Sequence, residues 1–314
     1  MKKMIMILLL PLFFSFCRHD QSEQKGPYTA KLLTRGVYNI EDANDSNPAG
    51  VHLDSAGKMT GMNNCSDMYL IVGKDKALLI DLSNVIRWDT TARESLRSVV
   101  YDRAGKKDLY ITITHRHGDH YGMLPAFHDD QGARFWLPEA EFSGMDIFPE
   151  ERTTYFVEKG SFDLGGGVVV NTMEVPGHTD HSTLFFLKDM NMVFSGDAIG
   201  SGSGVWIFDY DSFLKYIDGI SSLIKYIEDP VNNIDRDKLV IYGGHAWQKG
   251  EMDKLTSQYI YDMRTLIENI GSGSPVSEPM SAPRSYLNTN FRYGTATITW
   301  NKDDALKYAE SFNQ

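Results

Sequence analysis

The chain has 314 residues, 42% hydrophobic and 12% aromatic, enough apolar material for one substantial core. Its 42 acidic against 31 basic residues give a formal charge of −11, a surface that repels phosphate backbones and so argues against a nucleic-acid partner. Two cysteines, Cys17 and Cys65, are too few for a disulfide framework.

Lys2 and Lys3 precede Met4 to Phe16, an apolar run that Pro11 interrupts and that is too short for a comfortable membrane span. Residues 1–17 read as an export signal. Phe14-Ser15-Phe16-Cys17 resembles a loose bacterial lipoprotein box, with Phe16 where a small residue is usual. On that reading Cys17 carries a lipid that ties the protein to a membrane of the cell envelope, periplasmic or outer-membrane-anchored. Residues 18–27 then form a polar tether. Without lipidation the protein is secreted or periplasmic. Removing the signal takes two of the 31 basic residues and no acid, so 29 against 42 leaves −13. Cys65 stays as a lone thiol, expected to be buried.

Thr29 to Ile40 reads as an opening strand pair, and Asp42 to Asn63, polar and without a period, as a loop near the mouth of a site. Met68 to Val72 and Ala77 to Leu82 are apolar runs joined by Gly73-Lys74-Asp75-Lys76, a hairpin signal. Asp89 to Arg103 has helical spacing, with Leu96, Val99 and Val100 on one face and Asp89 or Thr90 as a cap. Leu109 to Thr114 and Ala133 to Leu137 are strands; Tyr121 to His128 is a short helix, and Pro138 to Gly144 a helix start. Thr154 to Phe162 and Val168 to Val175 read as strands around Gly165-Gly166-Gly167, followed by the pair Leu184 to Leu187 and Met192 to Phe194.

A flexible stretch, Ser201 to Gly204, leads into an aromatic cluster whose Trp206 and Phe208 either line a substrate pocket or pack beneath a loop. Asp211 to Ile227 and Leu255 to Ile270 are amphipathic helices. The tail reads as a long loop, Gly271 to Arg284, then a strand, Thr295 to Trp300, and a closing helix, Asp303 to Phe312. The order fits an α+β chain with two mixed β-sheets flanked by helices. Its main domain spans residues 28–270, with residues 271–314 a strand-helix addition docked on it.

One stretch organises the rest: Ile111-Thr112-Ile113-Thr114-His115-Arg116-His117-Gly118-Asp119-His120. In an extended chain side chains repeat every two residues, so His115 and His117 leave on one side and can meet one metal ion. Gly118 lets the chain turn, and Asp119 and His120 then face a different point at a helix start. Three more donors, His178, Asp197 and His245, each follow an apolar run and sit beside a glycine that lets the backbone come close.

Together these residues resemble the metallo-β-lactamase superfamily, over roughly Tyr69 to His245. The resemblance implies an αββα sandwich with a dinuclear site at one edge. His115, His117 and His178 would hold one metal, Asp119, His120 and His245 the other, and Asp197 would bridge them. It assigns catalysis to Asp119 and Asp197. Asp81 resembles the family's loop-supporting aspartate, which is not a ligand. Antibiotic-hydrolysing members carry cysteine or serine where Asp197 stands, so the chain is closer to the hydroxyacylglutathione hydrolase and lactonase branch. It departs from that branch in Gly177-His178-Thr179-Asp180-His181 and Gly243-Gly244-His245-Ala246, where Gly-His-Thr-Pro-Gly and Pro-Gly-His-Gly are common. No clustered basic patch for glutathione follows His245.

Imidazoles and terminal carboxylates around a shared carboxylate suit two Zn²⁺ per chain and tolerate iron or manganese. A hydroxide held between two cations serves as nucleophile, so Ser182 and Ser201 are not needed. His181 and Asp180 are candidates for contacting substrate or orienting a ligand imidazole from behind. The expected activity is exported, metal-dependent hydrolysis of a small-molecule ester, thioester, lactone or amide. The alternatives are a mononuclear-iron oxidoreductase similar to persulfide dioxygenases and a catalytically inactive binding protein.

Overall fold

The computed structural model describes residues 22–42, 66–157, 159–200, 204–245, 254–281 and 283–312. The expected signal, Cys17, Cys65 and nearly all of the glycine-rich loop before Ser66 lie outside these residues. Among the described residues no helix is long and apolar enough to cross a membrane.

The first sheet runs in chain order through β1 (Ser22–Lys25), β2 (Tyr28–Thr34), β3 (Val37–Asp42), β4 (Met68–Val72), β5 (Lys76–Ile80), β6 (Asp108–Thr112), β7 (Ala133–Pro138) and β8 (Thr153–Phe156). It is antiparallel up to β5 and parallel from β5 to β8. The second sheet has the order β15 (Lys254–Thr256), β14 (Val240–Gly243), β12 (Met192–Gly196), β11 (Thr183–Leu187), β10 (Val169–Glu174), β9 (Ser161–Asp163). The helices are α1 (Ala92–Ala104), α2 (Gly118–Tyr121), α3 (Glu139–Phe142), α4 (Tyr210–Glu228), α5 (Ser257–Gly271) and α6 (Lys302–Phe312).

The strands read as continuous apolar runs because both their faces are covered. In β5, Ala77 and Leu79 point toward α1 while Leu78 and Ile80 meet Phe185, Leu187 and Phe194 of the second sheet. In β11, Leu184 and Phe186 turn the other way, onto the core beneath α4 and α5. Successive residues thus bury on opposite faces, giving helix, sheet, sheet and helix layers with the inter-sheet core in the middle.

Four expectations change. Ser22–Lys25 is not tether but an edge strand paired with β2. Thr154 to Phe162 is two strands in different sheets, the chain crossing over at Gly160, whose N–H donates to Thr172 Oγ1 at 2.6 Å. Tyr121 to His128 forms only the end of α2 and a 3₁₀ turn, Leu124–Ala126. The tail is more than a strand and a helix: β16 (Val276–Pro279), β17 (Thr289–Tyr293) and β18 (Ala296–Trp300) join β13 (Val205–Trp206) in a third sheet, ordered β13-β18-β17-β16. Trp300 stacks on Phe213 of α4 at 4.0 Å, within one core shared with α5 and α6. The tail therefore completes the outer layer of the main body and shares a strand with the segment after Asp197.

Candidate metal centre

The site gathers at the C-terminal ends of β6, β12 and β14, where parallel strands open their last backbone groups to side-chain partners. Asp81, one residue past β5, sits at φ 63° and is buried. Its carboxylate accepts from Thr114 N at 2.7 Å and Thr114 Oγ1 at 2.9 Å, which fixes the backbone just ahead of His115. Thr183 N donates to Thr114 O at 2.9 Å and ties this turn to the second sheet. Asp197 and His245 are brought together because β12 and β14 run parallel and end level, with Gly244 N donating to Gly196 O at 2.9 Å. A Cβ on Gly244 would lie 2.5 Å from Asp197 Oδ1 and 2.8 Å from His120 Cε1, so the approach requires glycine there.

All seven predicted ligands converge. The donor atoms of His115, His117 and His178 lie within 4.8 Å of one another, as do those of Asp119, His120 and His245. Asp197 Oδ2 stands between the sets, 3.6 Å from His178 Nε2, 3.6 Å from His120 Nε2 and 3.2 Å from His245 Nε2. Asp119 Oδ2 is 3.5 Å from His245 Nε2.

The hydrogen bonds behind the imidazoles fix which nitrogens face inward. Thr114 Oγ1 donates to Asp81 and so accepts from His115 Nδ1 at 3.0 Å. His178 Nδ1 donates to the Trp206 carbonyl at 2.9 Å. The Nε2 lone pairs of both rings then point at His117 Nδ1, at 3.1 and 2.9 Å. One proton on His117 can satisfy one of these lone pairs, whereas a cation satisfies all three. His120 Nδ1 donates to Asp81 Oδ2 at 2.8 Å, which turns its Nε2 inward as well. Among the described residues that buried Nε2 and Asp197 Oδ1 have no hydrogen-bond partner, and this orphaned pair together with the converging lone pairs fits bound metal.

The charges agree. Burial pushes His115 well below the ordinary imidazole range, with the His120 charge adding to it, and burial likewise lowers His117 and brings His178 to about 4. In all three, burial favours the neutral form, the form in which an imidazole can ligate a metal. For His120 burial acts downward, but Asp81 and Asp197 outweigh it and raise the ring well above its ordinary value; Asp197 does the same, less strongly, for His245. Burial pushes the Asp197 carboxyl up, yet His245 and His120 hold it well below the usual carboxylate range.

The remaining candidates divide. Phe208 packs against His117 and His178, centroids 5.6 and 5.4 Å apart, and Trp206 supplies the carbonyl that orients His178. His181 Nδ1 pairs with Glu174 at 3.1 Å and turns to the surface. Asp180 does not back a ligand imidazole, because Lys215 at 2.7 Å and Arg116 at 3.4 Å take its carboxylate. Glu141, which sequence reasoning missed, has a fully buried side chain and accepts from Arg116 N at 2.9 Å, between two ligands. No periodicity signals it, since its role depends on α3 packing behind the ligand loop.

The family model described as Metallo-beta-lactamase superfamily matches residues 66–245. The chain is 23% identical over 193 residues to the acyl-coenzyme A thioesterase MBLAC2 of Gallus gallus, covering 52% of this chain and 69% of the relative. It is 31% identical over 111 residues to a hydroxyacylglutathione hydrolase of Rhodopseudomonas palustris (strain BisA53), 33% of this chain and 42% of that one. A solved metallo-beta-lactamase from Pontibacter korlensis superposes with a TM-score of 0.54 at 15% identity, over 77% of this chain and 99% of that one, a likeness of fold.

Proposed function

The chain belongs to the metallo-β-lactamase superfamily, and from that premise we propose that it is a dinuclear metallo-hydrolase cleaving a small-molecule thioester, ester, lactone or amide. The observation that carries the proposal is Asp197, whose Oδ2 reaches residues of both sets while its Oδ1 has no hydrogen-bond partner among the described residues. His115, His117 and His178 would hold one metal and Asp119, His120 and His245 the second, with Asp197 between them. Bound there, two dications, zinc by the donor set, would lower the pKa of a water and polarise a carbonyl. The protein's part is to hold that arrangement. Asp81 fixes His120 and the turn before His115; the Trp206 carbonyl fixes His178; the Asp197 charge would offset repulsion between two bound cations. Asp119 and Asp197, the two carboxylates of the site, are its catalytic residues.

Thioesters come first among the substrates because relatives of this chain are named as an acyl-coenzyme A thioesterase and a hydroxyacylglutathione hydrolase. An aspartate at position 197 supports esters over β-lactams. Metal analysis of the purified protein with assays on thioesters, esters and a β-lactam tests this. About two zinc per chain with thioester or ester turnover is the expected result. One iron per chain, with oxygen consumed on a persulfide, would replace the hydrolase with an oxidoreductase; no metal and no turnover would leave a binding protein.

We also propose that residues 1–17 direct export and that Cys17 is lipidated. Cys17→Ser should move the protein from the membrane fraction to the soluble one, and absence of label from radioactive fatty acid on the wild-type chain would rule out the lipid.

A further inference from the structure

We propose that Arg284, carried by the C-terminal segment, selects substrates bearing an anionic group, a carboxylate or a phosphate, at the end away from the scissile bond. The inference rests on the hydrolase reading and names the substrate class of that site. A continuous wall leads outward from the metal ligands. Phe208 packs on His117 and His178, and the Tyr286 ring lies 6.1 Å from Phe208. The Arg284 guanidinium lies 5.7 Å from the centroid of Trp206, whose carbonyl orients His178, and donates to Tyr286 Oη at 3.3 Å. A cation–π contact and one hydrogen bond hold the guanidinium, and among the described residues its other N–H donors have no partner.

The turn that presents it is fixed. Arg284 N donates to Leu287 O at 2.6 Å, Leu287 N returns a bond to Arg284 O at 3.2 Å, and the Leu287 side chain is buried. Asn301 Nδ2 donates to Ser285 O at 2.8 Å. Arg116 and Lys215 both pair with Asp180, and Arg292 pairs with Glu278, whereas among the described residues no carboxylate pairs with Arg284. Arg35, Arg87 and Arg134 also lack a carboxylate partner among the described residues, so what sets Arg284 apart is its place on the aromatic wall that starts at Phe208. In a protein of net charge −11, an unpaired guanidinium on an aromatic wall beside a candidate active site is placed to receive an anion from outside.

The test uses acetyl thioesters of 3-mercaptopropanol, 3-mercaptopropionate and 3-mercaptopropyl phosphate, which share the scissile bond and differ at the far end. The wild type should favour an anionic ester over the neutral one in kcat/KM, and whether the carboxylate or the phosphate is preferred identifies the source. Arg284→Ala should lower that preference about tenfold, the worth of one charge-assisted hydrogen bond, and Arg284→Lys should keep part of it. Equal losses on all the esters, as a packing role would give, or an unmoved preference would overturn the proposal. If the wild type cleaves none of them, the hydrolase reading fails on its own. Calorimetry with the corresponding S-methyl thioethers then decides: tighter binding of an anionic thioether, lost in Arg284→Ala, supports the anion site, and equal affinity sinks it.

Discussion

The floor of the site and its rim are built on opposite terms. On the floor, His115 and His120 are fully buried, and the hydrogen bonds of Thr114 and Asp81 fix their outer nitrogens. On the rim, Arg284 and Tyr286 are exposed and stand on a turn from the third sheet's side of the molecule. The floor leaves its donors one arrangement, so the chemistry is set there. The rim meets solvent and, among the described residues, reaches the candidate ligands through Trp206 and Phe208, so it can change which molecule is accepted without changing how a bond is broken. Rigid chemistry and adjustable selection are thus held by different layers of one chain.

The sharpest way to break this division is at Asp197. Asp197→Asn keeps the shape but removes the charge that would separate two cations. Turnover should fall at least about a hundredfold with reduced metal content in a folded protein, comparable to other losses of transition-state charge stabilisation. Near wild-type turnover at full metal content would refute the bridging role. Asp81→Asn comes next. Asparagine tolerates the positive φ of this position, so the substitution tests the carboxylate alone. Weaker hold on His120 should cost about 10- to 100-fold in metal affinity, read by competition with a chelator. An unchanged affinity would mean that the orientation of His120 is set elsewhere.

The floor was legible in the sequence and the rim was not, for a physical reason. Metal binding demands particular side chains at the ends of apolar strands, so His115, His117, Asp119, His120, His178, Asp197 and His245 could be named without coordinates, and the structure brings them together. Asp81 was legible only through its resemblance to the family's loop-supporting aspartate. Trp206 acts on His178 through a backbone carbonyl, which any residue offers, so its side chain carries no signal of that role. In β16 every residue is exposed, leaving no apolar alternation to read. In β17 the alternation of buried Thr289 and Phe291 with more exposed neighbours was present but short. The third sheet pairs β13 with β18, a contact between Val205 and Ile298 that no local pattern encodes.

Glu141 lies between the two layers and should give an intermediate effect. Its carboxylate takes the Arg116 N–H from behind the ligand loop, and its other oxygen has no hydrogen-bond partner among the described residues. Glu141→Leu leaves that N–H without its acceptor, at a cost of about 1–3 kcal/mol in stability, measurable as a lower denaturant midpoint. Glu141→Gln keeps an acceptor oxygen and should restore most of the loss. If both variants melt alike, the Arg116 bond is not what Glu141 contributes.

The smallest effect should come from Asp180, although it lies two residues from His178. Its partners Lys215 and Arg116 are about half exposed, and it is itself 44% exposed. Those two cations hold its carboxyl below the ordinary range, Lys215 foremost, but exposed pairs of this kind are screened by solvent and typically contribute little. Asp180→Asn should therefore change turnover by less than about fivefold and leave metal content unaltered. Arg116 makes this more than a control. Its main chain sits between His115 and His117 and is held by Glu141, while its side chain reaches out to Asp180. If the floor is fixed by its buried bonds, freeing that side chain changes nothing beneath it. A loss in Asp180→Asn approaching that of Asp197→Asn, with metal content reduced, would show that the surface pair positions the ligand loop and that floor and rim are not separate layers.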